Sequence, residues 1–366
     1  MAGGETSRPT LFDIGLYIFT FLAPIFFIIG WNLNMIRQIF FVFGIFVLLA
    51  LSLICKRERE YSNKYLGYIV LWSMMNVFVH SFKYSITTSF TAGFINYCIM
   101  SEGFIYVLCG VLLFYLVVSY AKNFKIVYPL LAINILNSIF VILQVNGINP
   151  IWSKIDGIPG ILGMAPHMVI FSALSIPIIY KLNKFLIAIP VSLMIIGHYG
   201  WGHSFSGVFA LFVAFAIYLF IKRYFRLFGL WVILGCAFIG LNWHFFYNKA
   251  ILRFMLWGNT IKEVLSYPFG QGFDNTLKMN MVDIGRGMMY RHNDYLNISR
   301  DMGIPFLLFI LIPIYYMFKN TKFDNLSLSI LIIMLASVTW TSMYFTSIAS
   351  IAIILLALKE KEWVKI

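Results

Sequence analysis

Apolar runs of membrane-crossing length, separated by short polar stretches, follow one another from residue 11 to residue 358. A helix needs about 20 apolar residues to cross a bilayer core. The pattern predicts spans at about 11–30, 36–55, 65–82, 103–121, 126–145, 162–180, 185–200, 204–221, 227–247, 304–318, 326–341 and 345–358. The last two share one run split by Thr339-Trp340-Thr341-Ser342, and residues 86–100 form a shorter apolar stretch suited to a re-entrant or surface helix. The first run is longer than a signal-peptide core and is expected to be retained. The expected fold is all-α: a polytopic integral membrane protein of about twelve transmembrane helices, one domain over residues 1–366. A single large polar loop at 248–302, containing short helices, breaks the rhythm.

Three pieces of that loop stand out: Arg253-Phe254-Met255-Leu256-Trp257, then Pro268-Phe269-Gly270-Gln271-Gly272-Phe273, then Arg291-His292-Asn293-Asp294-Tyr295-Leu296-Asn297 running on to Gly303. Asn293 and Asp294 suit a helix N-cap, Gly303 a C-cap and Pro305 the first turn of the next helix, so a helix is predicted from about Asn293 to Met302. Its spacing puts Asn293, Asn297, Arg300 and Asp301 on one face and Tyr295, Leu296, Ile298 and Met302 largely on the other. His292, at offsets of three, four and seven from Tyr295, Leu296 and Ser299, is expected to point toward the protein.

Composition supports the class, with 61% hydrophobic and 11% charged residues. The four cysteines lie in or beside apolar runs with no Cys-x-x-Cys pair, so neither a zinc site nor a disulfide framework is readable. A net charge of +13 would suit nucleic acid in a soluble protein. In a membrane chain, what matters is the side on which each cation lies. With both termini cytoplasmic, the cytoplasmic segments hold seventeen of the 27 Lys and Arg residues, and the short opposite loops hold only Arg37, Lys83 and Lys154. The positive-inside rule then turns the large loop outward, and no nucleic-acid partner is expected.

In this loop His292 has Arg286, Arg291 and Arg300 nearby in sequence, with Asp294 and Asp301 as orienting carboxylates. A histidine near neutral pKa can take a proton from an attacking hydroxyl, and arginines can hold phosphate oxygens in bidentate fashion. The loop carboxylates Glu263, Asp274, Asp283, Asp294 and Asp301 are dispersed, with no Asp-x-Asp pair, so neither a metal nor another cofactor is expected. The remaining histidines fall in or at the ends of spans and read as interior or interfacial, with His203 and His167 as secondary candidates. The 18% aromatic content reads mainly as interfacial belts.

His292-Asn293, nine residues and Gly303 resemble the loop signature of the O-antigen polymerase and O-antigen ligase family. Gly160 to His167 is similar to that family's glycine and proline segment opening the sixth span. Arg253 with Trp257 resembles its loop arginine and tryptophan, and Pro268 to Gly272 its turn. The resemblance implies a GT-C-like fold in a bacterial inner membrane, with the large loop periplasmic. It also implies a metal-free glycosyltransferase using a polyprenyl-diphosphate-linked oligosaccharide as donor and a lipid-linked repeat or lipid A core as acceptor glycan. Membrane lipids and a chain-length regulator protein would be its other partners. His292 would be the general base; Arg253, Arg286, Arg291 and Arg300 would bind the diphosphate; Asn293, Asp294 and His203 would orient groups or bind the acceptor. Two departures stand out: Phe205 occupies the place of the arginine in a Ser-Arg-Ser step, and Ile304-Pro305-Phe306 lacks the second glycine seen in many ligases. The second favours polymerase over ligase. A transporter of the same lipid-linked sugars is the alternative of a different class, because it too would use twelve spans and a cationic site.

Overall fold

The computed structural model of the chain describes residues 8–30, 34–58, 64–85, 102–148, 160–162, 165–199, 204–272, 281–283, 288–290, 293–339 and 346–363. Its helices are α1 (Leu11–Gly30), α2 (Asn34–Ile54), α3 (Lys64–Ser85), α4 (Glu102–Tyr120), α5 (Val127–Val145), α6 (Ala165–Leu182), α7 (Ala188–Tyr199), α8 (Phe205–Ile221), α9 (Phe225–Leu241), α10 (Trp243–Ser266), α11 (Asp294–Met302), α12 (Ile304–Asn320), α13 (Asn325–Thr339) and α14 (Thr346–Trp363). Each of the twelve predicted runs is a helix, and the loop contributes α10 and α11. Among the described residues the departure from an all-helical fold is one antiparallel ladder, β1 (Met281–Asp283) with β2 (Met288–Tyr290), in the register Met281 to Tyr290. Residues 86–100 lie outside the described residues.

Val127–Val145 and Ala165–Leu182 are each long and apolar enough to cross a membrane, and Phe225–Leu241 with Phe246–Ser266 passes the same test as one bent pair. The other apolar helices are shorter over their described parts. Large apolar side chains such as Phe43, Phe46, Leu53, Phe78, Ile142 and Ile233 are exposed, whereas small polar ones such as Thr20, Ser172, Ser175, Ser327 and Ser329 are buried. That distribution suits helices surrounded by hydrocarbon and joined to each other through small polar residues.

α6 is the most enclosed helix described, with fourteen of its eighteen residues buried. Pro177 removes a backbone donor within it. Nearby, α13 supplies two donors: Ser329 Oγ to the Leu174 carbonyl at 2.7 Å and Asn325 Nδ2 to the Pro177 carbonyl at 2.7 Å. Gly207 of α8 lies against the same helix so closely that a Cβ would stand 2.7 Å from the Val169 carbonyl and the Ile170 nitrogen. α6, α8 and α13 thus form a tight central triad. α9, in which only Gly235 is buried, lies at the periphery.

The ninth helix ends at Leu241, earlier than its hydropathy predicts: Asn242 leaves helical geometry (φ −108°, ψ 20°), and its side-chain amide donates to the Phe238 carbonyl at 2.9 Å. The chain then bends through 87° into α10.

Candidate functional site

α11 carries the buried polar residues of the long polar segment and begins where its sequence predicts. Asn293 has extended backbone (φ −151°, ψ 110°), and its Oδ1 accepts from the Leu296 amide at 3.1 Å, which makes it a side-chain N-cap. Gly303 ends the helix at φ 90°, and Pro305 sits in the first turn of α12.

The Pro268–Gly272 turn closes the other end of α11. The Gln271 amide donates to the Arg300 carbonyl at 2.8 Å, the Gly272 amide to the Asp301 carbonyl at 2.9 Å, and the Ile304 amide returns a bond to the Pro268 carbonyl at 2.8 Å. Trp72 of α3 adds an indole donor to the Met302 carbonyl at 2.7 Å. The last carbonyls of a helix have no intrahelical partner, and here three of them are met by groups distant in sequence. The approach requires glycine twice. At Gly270 (φ 93°) a Cβ would lie 2.6 Å from the Asp301 oxygen, and at Gly303 one would lie 2.5 Å from the Phe269 carbonyl carbon.

α10 supplies the third loop piece and is reversed relative to a helix lying on a soluble protein. Trp243, Tyr247, Ile251, Phe254, Ile261 and Leu265 share an exposed face, while Leu256, Thr260 and Val264 are buried on the other side. By helical spacing Arg253 and Glu263 fall on the buried side. Glu263 Oε2 accepts from Arg300 Nε at 3.1 Å, and Arg300 Nη1 donates to Asp301 Oδ1 at 2.9 Å. Arg300 therefore ties α10 to α11 with its guanidinium between two carboxylates. Arg253 is half-buried; that desolvation brings its pKa down to about 10, which leaves it cationic at neutral pH.

The polar face of α11 is turned inward. Asp294, Asn297, Arg300 and Asp301 are all at most 5% exposed, and the spacing of three and four aligns Asp294, Asn297 and Asp301 on one side. Both amide atoms of Asn297 are buried without a hydrogen-bond partner, and so is the hydroxyl of Ser337 on α13. Tyr295 extends sideways to donate to the Met334 carbonyl at 2.8 Å; its phenol pKa is raised by burial and by Asp294.

The depth of α11 departs from a site on the surface of an outer loop. Trp72 is the ninth residue of α3, and Met334 the tenth of the fifteen in α13. By helical rise these contacts lie roughly 12–14 Å from the starts of those helices. The buried charges of α11 therefore meet the bundle part-way along its helices.

Of the residues singled out by sequence, Asn293, Asp294 and Arg300 come together on α11, with Arg253 on the neighbouring α10. His292, Arg286, Arg291 and His203 lie outside the described residues. Phe205, in the place of the resembled arginine, is buried in an aromatic cluster, with its ring 5.0 Å from His198, 6.2 Å from Phe238 and 6.1 Å from Phe246. His198 is buried, and its Nδ1 lies 3.0 Å from the Ser204 carbonyl, consistent with its reading as an interior histidine. Glu263 and Trp72 were missed as partners of the site. Glu263 is 37 residues from Arg300 and Trp72 is 230 residues from Met302. A lone loop carboxylate and a tryptophan in an apolar run carried no signal of either contact. Among the described residues no group of three His, Cys, Asp or Glu side chains converges as a metal site would require.

No protein-family model matches the chain, and no curated protein matches it significantly.

Proposed function

We propose that the protein is a polytopic membrane glycosyltransferase with about twelve crossings, which transfers glycan from a polyprenyl-diphosphate-linked donor to a sugar hydroxyl at the outward-facing α10–α11 segment. A surface-polysaccharide polymerase of the O-antigen type is the preferred form, and transfer to lipid A core is its nearest variant. The observation that supports it is convergence: the Pro268–Gly272 turn meets the C-terminal carbonyls of α11, and α10, the helix that carries Arg253 and Trp257, is tied to α11 by the Glu263–Arg300 pair.

In the proposed reaction His292, one peptide bond before the N-cap Asn293, takes the proton of the acceptor hydroxyl. The hydroxyl oxygen bonds to the anomeric carbon of the donor as the bond from that carbon to the diphosphate oxygen breaks. The electron pair leaves on the diphosphate, where Arg253, Arg286 and Arg291 offset the developing charge. Arg300, held between Glu263 and Asp301, contributes chiefly by fixing α11.

The test is purified protein with a polyprenyl-diphosphate-linked oligosaccharide and a chelator, without nucleotide sugar, with product length followed on a gel. A ladder with the parent chain and none with His292→Ala supports the polymerase. A ladder of equal yield from both proteins would remove His292 from the reaction. Product appearing only when lipid A core is added would select the ligase.

One observation favours a second reading, a transporter of lipid-linked sugars: the buried charges of α11 lie part-way along the helices, where transport sites occur. Movement of the labelled lipid across a vesicle membrane, with no bond formed to any acceptor, would select it.

A further inference from the structure

Asn297 on α11 is 1% exposed, and neither its Oδ1 nor its Nδ2 has a hydrogen-bond partner. Buried polar side chains are nearly always paired, so this one calls for an explanation. It lies three residues after Asp294 and four before Asp301, with Asn293 one turn earlier, in the middle of the inward face of α11. Beside it on that face, Arg300 is held by Glu263 at 3.1 Å and Asp301 at 2.9 Å. The Glu263 side chain is 35% exposed against 6% for that of Arg300. The seam between α10 and α11 therefore reaches solvent through this ion pair, close to the enclosed amide.

A primary amide offers an acceptor and a donor side by side in one plane. Two neighbouring ring hydroxyls match that pair, one donating to Oδ1 while the other accepts from Nδ2. Around the amide, the described residues of α11 and its α10 partner contribute three carboxylates, Asp294, Asp301 and Glu263, and the guanidinium of Arg300. An anionic ligand would meet like charge there, whereas hydroxyls can donate to such a surface. We infer that the inward face of α11 binds a neutral sugar through a vicinal diol clamped by Asn297. That this sugar is the acceptor rests on the proposed function. Asn293 lies roughly 6 Å back along the helix by its rise, and His292 precedes Asn293 in the chain. A pyranose ring held at Asn297 and extending toward the N-terminal end of α11 would bring a further hydroxyl to the proposed base.

Saturation-transfer difference NMR on the full chain in nanodiscs, free of sugar-based detergent and with no donor present, tests the inference. The probes are the methyl pyranosides of glucose, galactose and mannose, with methyl glucuronoside as the acidic counterpart and tetrahydropyran-2-methanol as a ring without a diol. The parent protein should bind at least one neutral glycoside and neither of the last two. Asn297→Leu, similar in volume, should weaken that binding about tenfold, the loss of two neutral hydrogen bonds. Gly258→Ala, at an open glycine on α10, should leave it unchanged. Equal binding by the parent and Asn297→Leu would overturn the proposal. So would a parent that binds no neutral glycoside, or that binds the glucuronoside or the diol-free ring as strongly; these comparisons need no variant. The result is separable from the transfer assay: a parent that builds a ladder but binds no sugar here loses this site and keeps the proposed function, whereas sugar binding without a ladder keeps the site and loses that function.

Discussion

Two of the regions that bury charge among the described residues do so differently. At the corner where α12 meets α13, Lys359 of α14 is fully buried, yet its ammonium donates to the Lys322 carbonyl at 2.8 Å, Asp324 Oδ1 at 3.1 Å and Glu362 Oε2 at 2.8 Å. An ammonium has three donors, and all three are used. In α11 the charges are equally enclosed, but Asn297 keeps a complete amide without a partner. A buried polar group left unmatched costs roughly 1–3 kcal/mol. The Lys359 corner thus has the form of a structural lock, whereas α11 carries a cost that the folded chain does not recover by itself. Unmatched polarity of this kind is characteristic of positions that meet a ligand.

Substitutions can break this contrast, and the largest expected effect is at the lock. Lys359→Met leaves Asp324 and Glu362 without their cation and should destabilise the protein by about 3 kcal/mol, read by thermal melting in detergent. Activity per folded molecule should not change, and a selective loss of activity would move Lys359 out of a structural role. At α11 the opposite is expected. Asn297→Leu removes unmatched polar atoms at similar volume and should preserve or raise the melting temperature, yet lower glycan transfer about 100-fold, as loss of one site hydrogen-bond donor does. A stable and fully active Asn297→Leu would make the asparagine incidental.

Gly303→Ala lies between these two. It forces a Cβ into the Phe269 backbone at positive φ and should cost about 2 kcal/mol. Activity should fall with it, because the turn and α11 would separate; melting compared with Ala substitution at the open Gly258 on α10 checks this. The smallest effect is at Asp324. Burial alone would raise its carboxyl pKa, but the Ser327 amide and Lys359 outweigh that and hold it below the usual range. A carboxyl depressed in the folded state stabilises above its unfolded pKa, and the contribution disappears as pH falls through the folded value. The melting temperature should therefore hold from pH 7 to about pH 4 and fall below that. Asp324→Asn should start lower and lose that acid-limb dependence.

The caps of α11 were legible because their signals are local: Asn293, Gly303 and Pro305 act on backbone within a turn of themselves. Twelve helices were legible for a similar reason, since the length of an apolar run is a one-dimensional property. The ladder of β1 and β2 was not, because three-residue strands such as Met281–Asp283 and Met288–Tyr290 carry too few positions for a period to register.

By itself, then, the sequence determined the twelve apolar helices and their approximate ends, the capped position of α11 and the polar character of its exposed-looking face, but not the separate helix α10. Tertiary structure alone decided that this face turns inward, that Arg300 is shared by Glu263 and Asp301, and that α10 bends 87° away from α9 with its apolar side outward. It also brought Gly270 and Gly303 within backbone contact. The division follows range: hydropathy and caps act over one to five turns of chain, whereas each of the decisions left to the fold sets a polar group against a partner that only packing brings near.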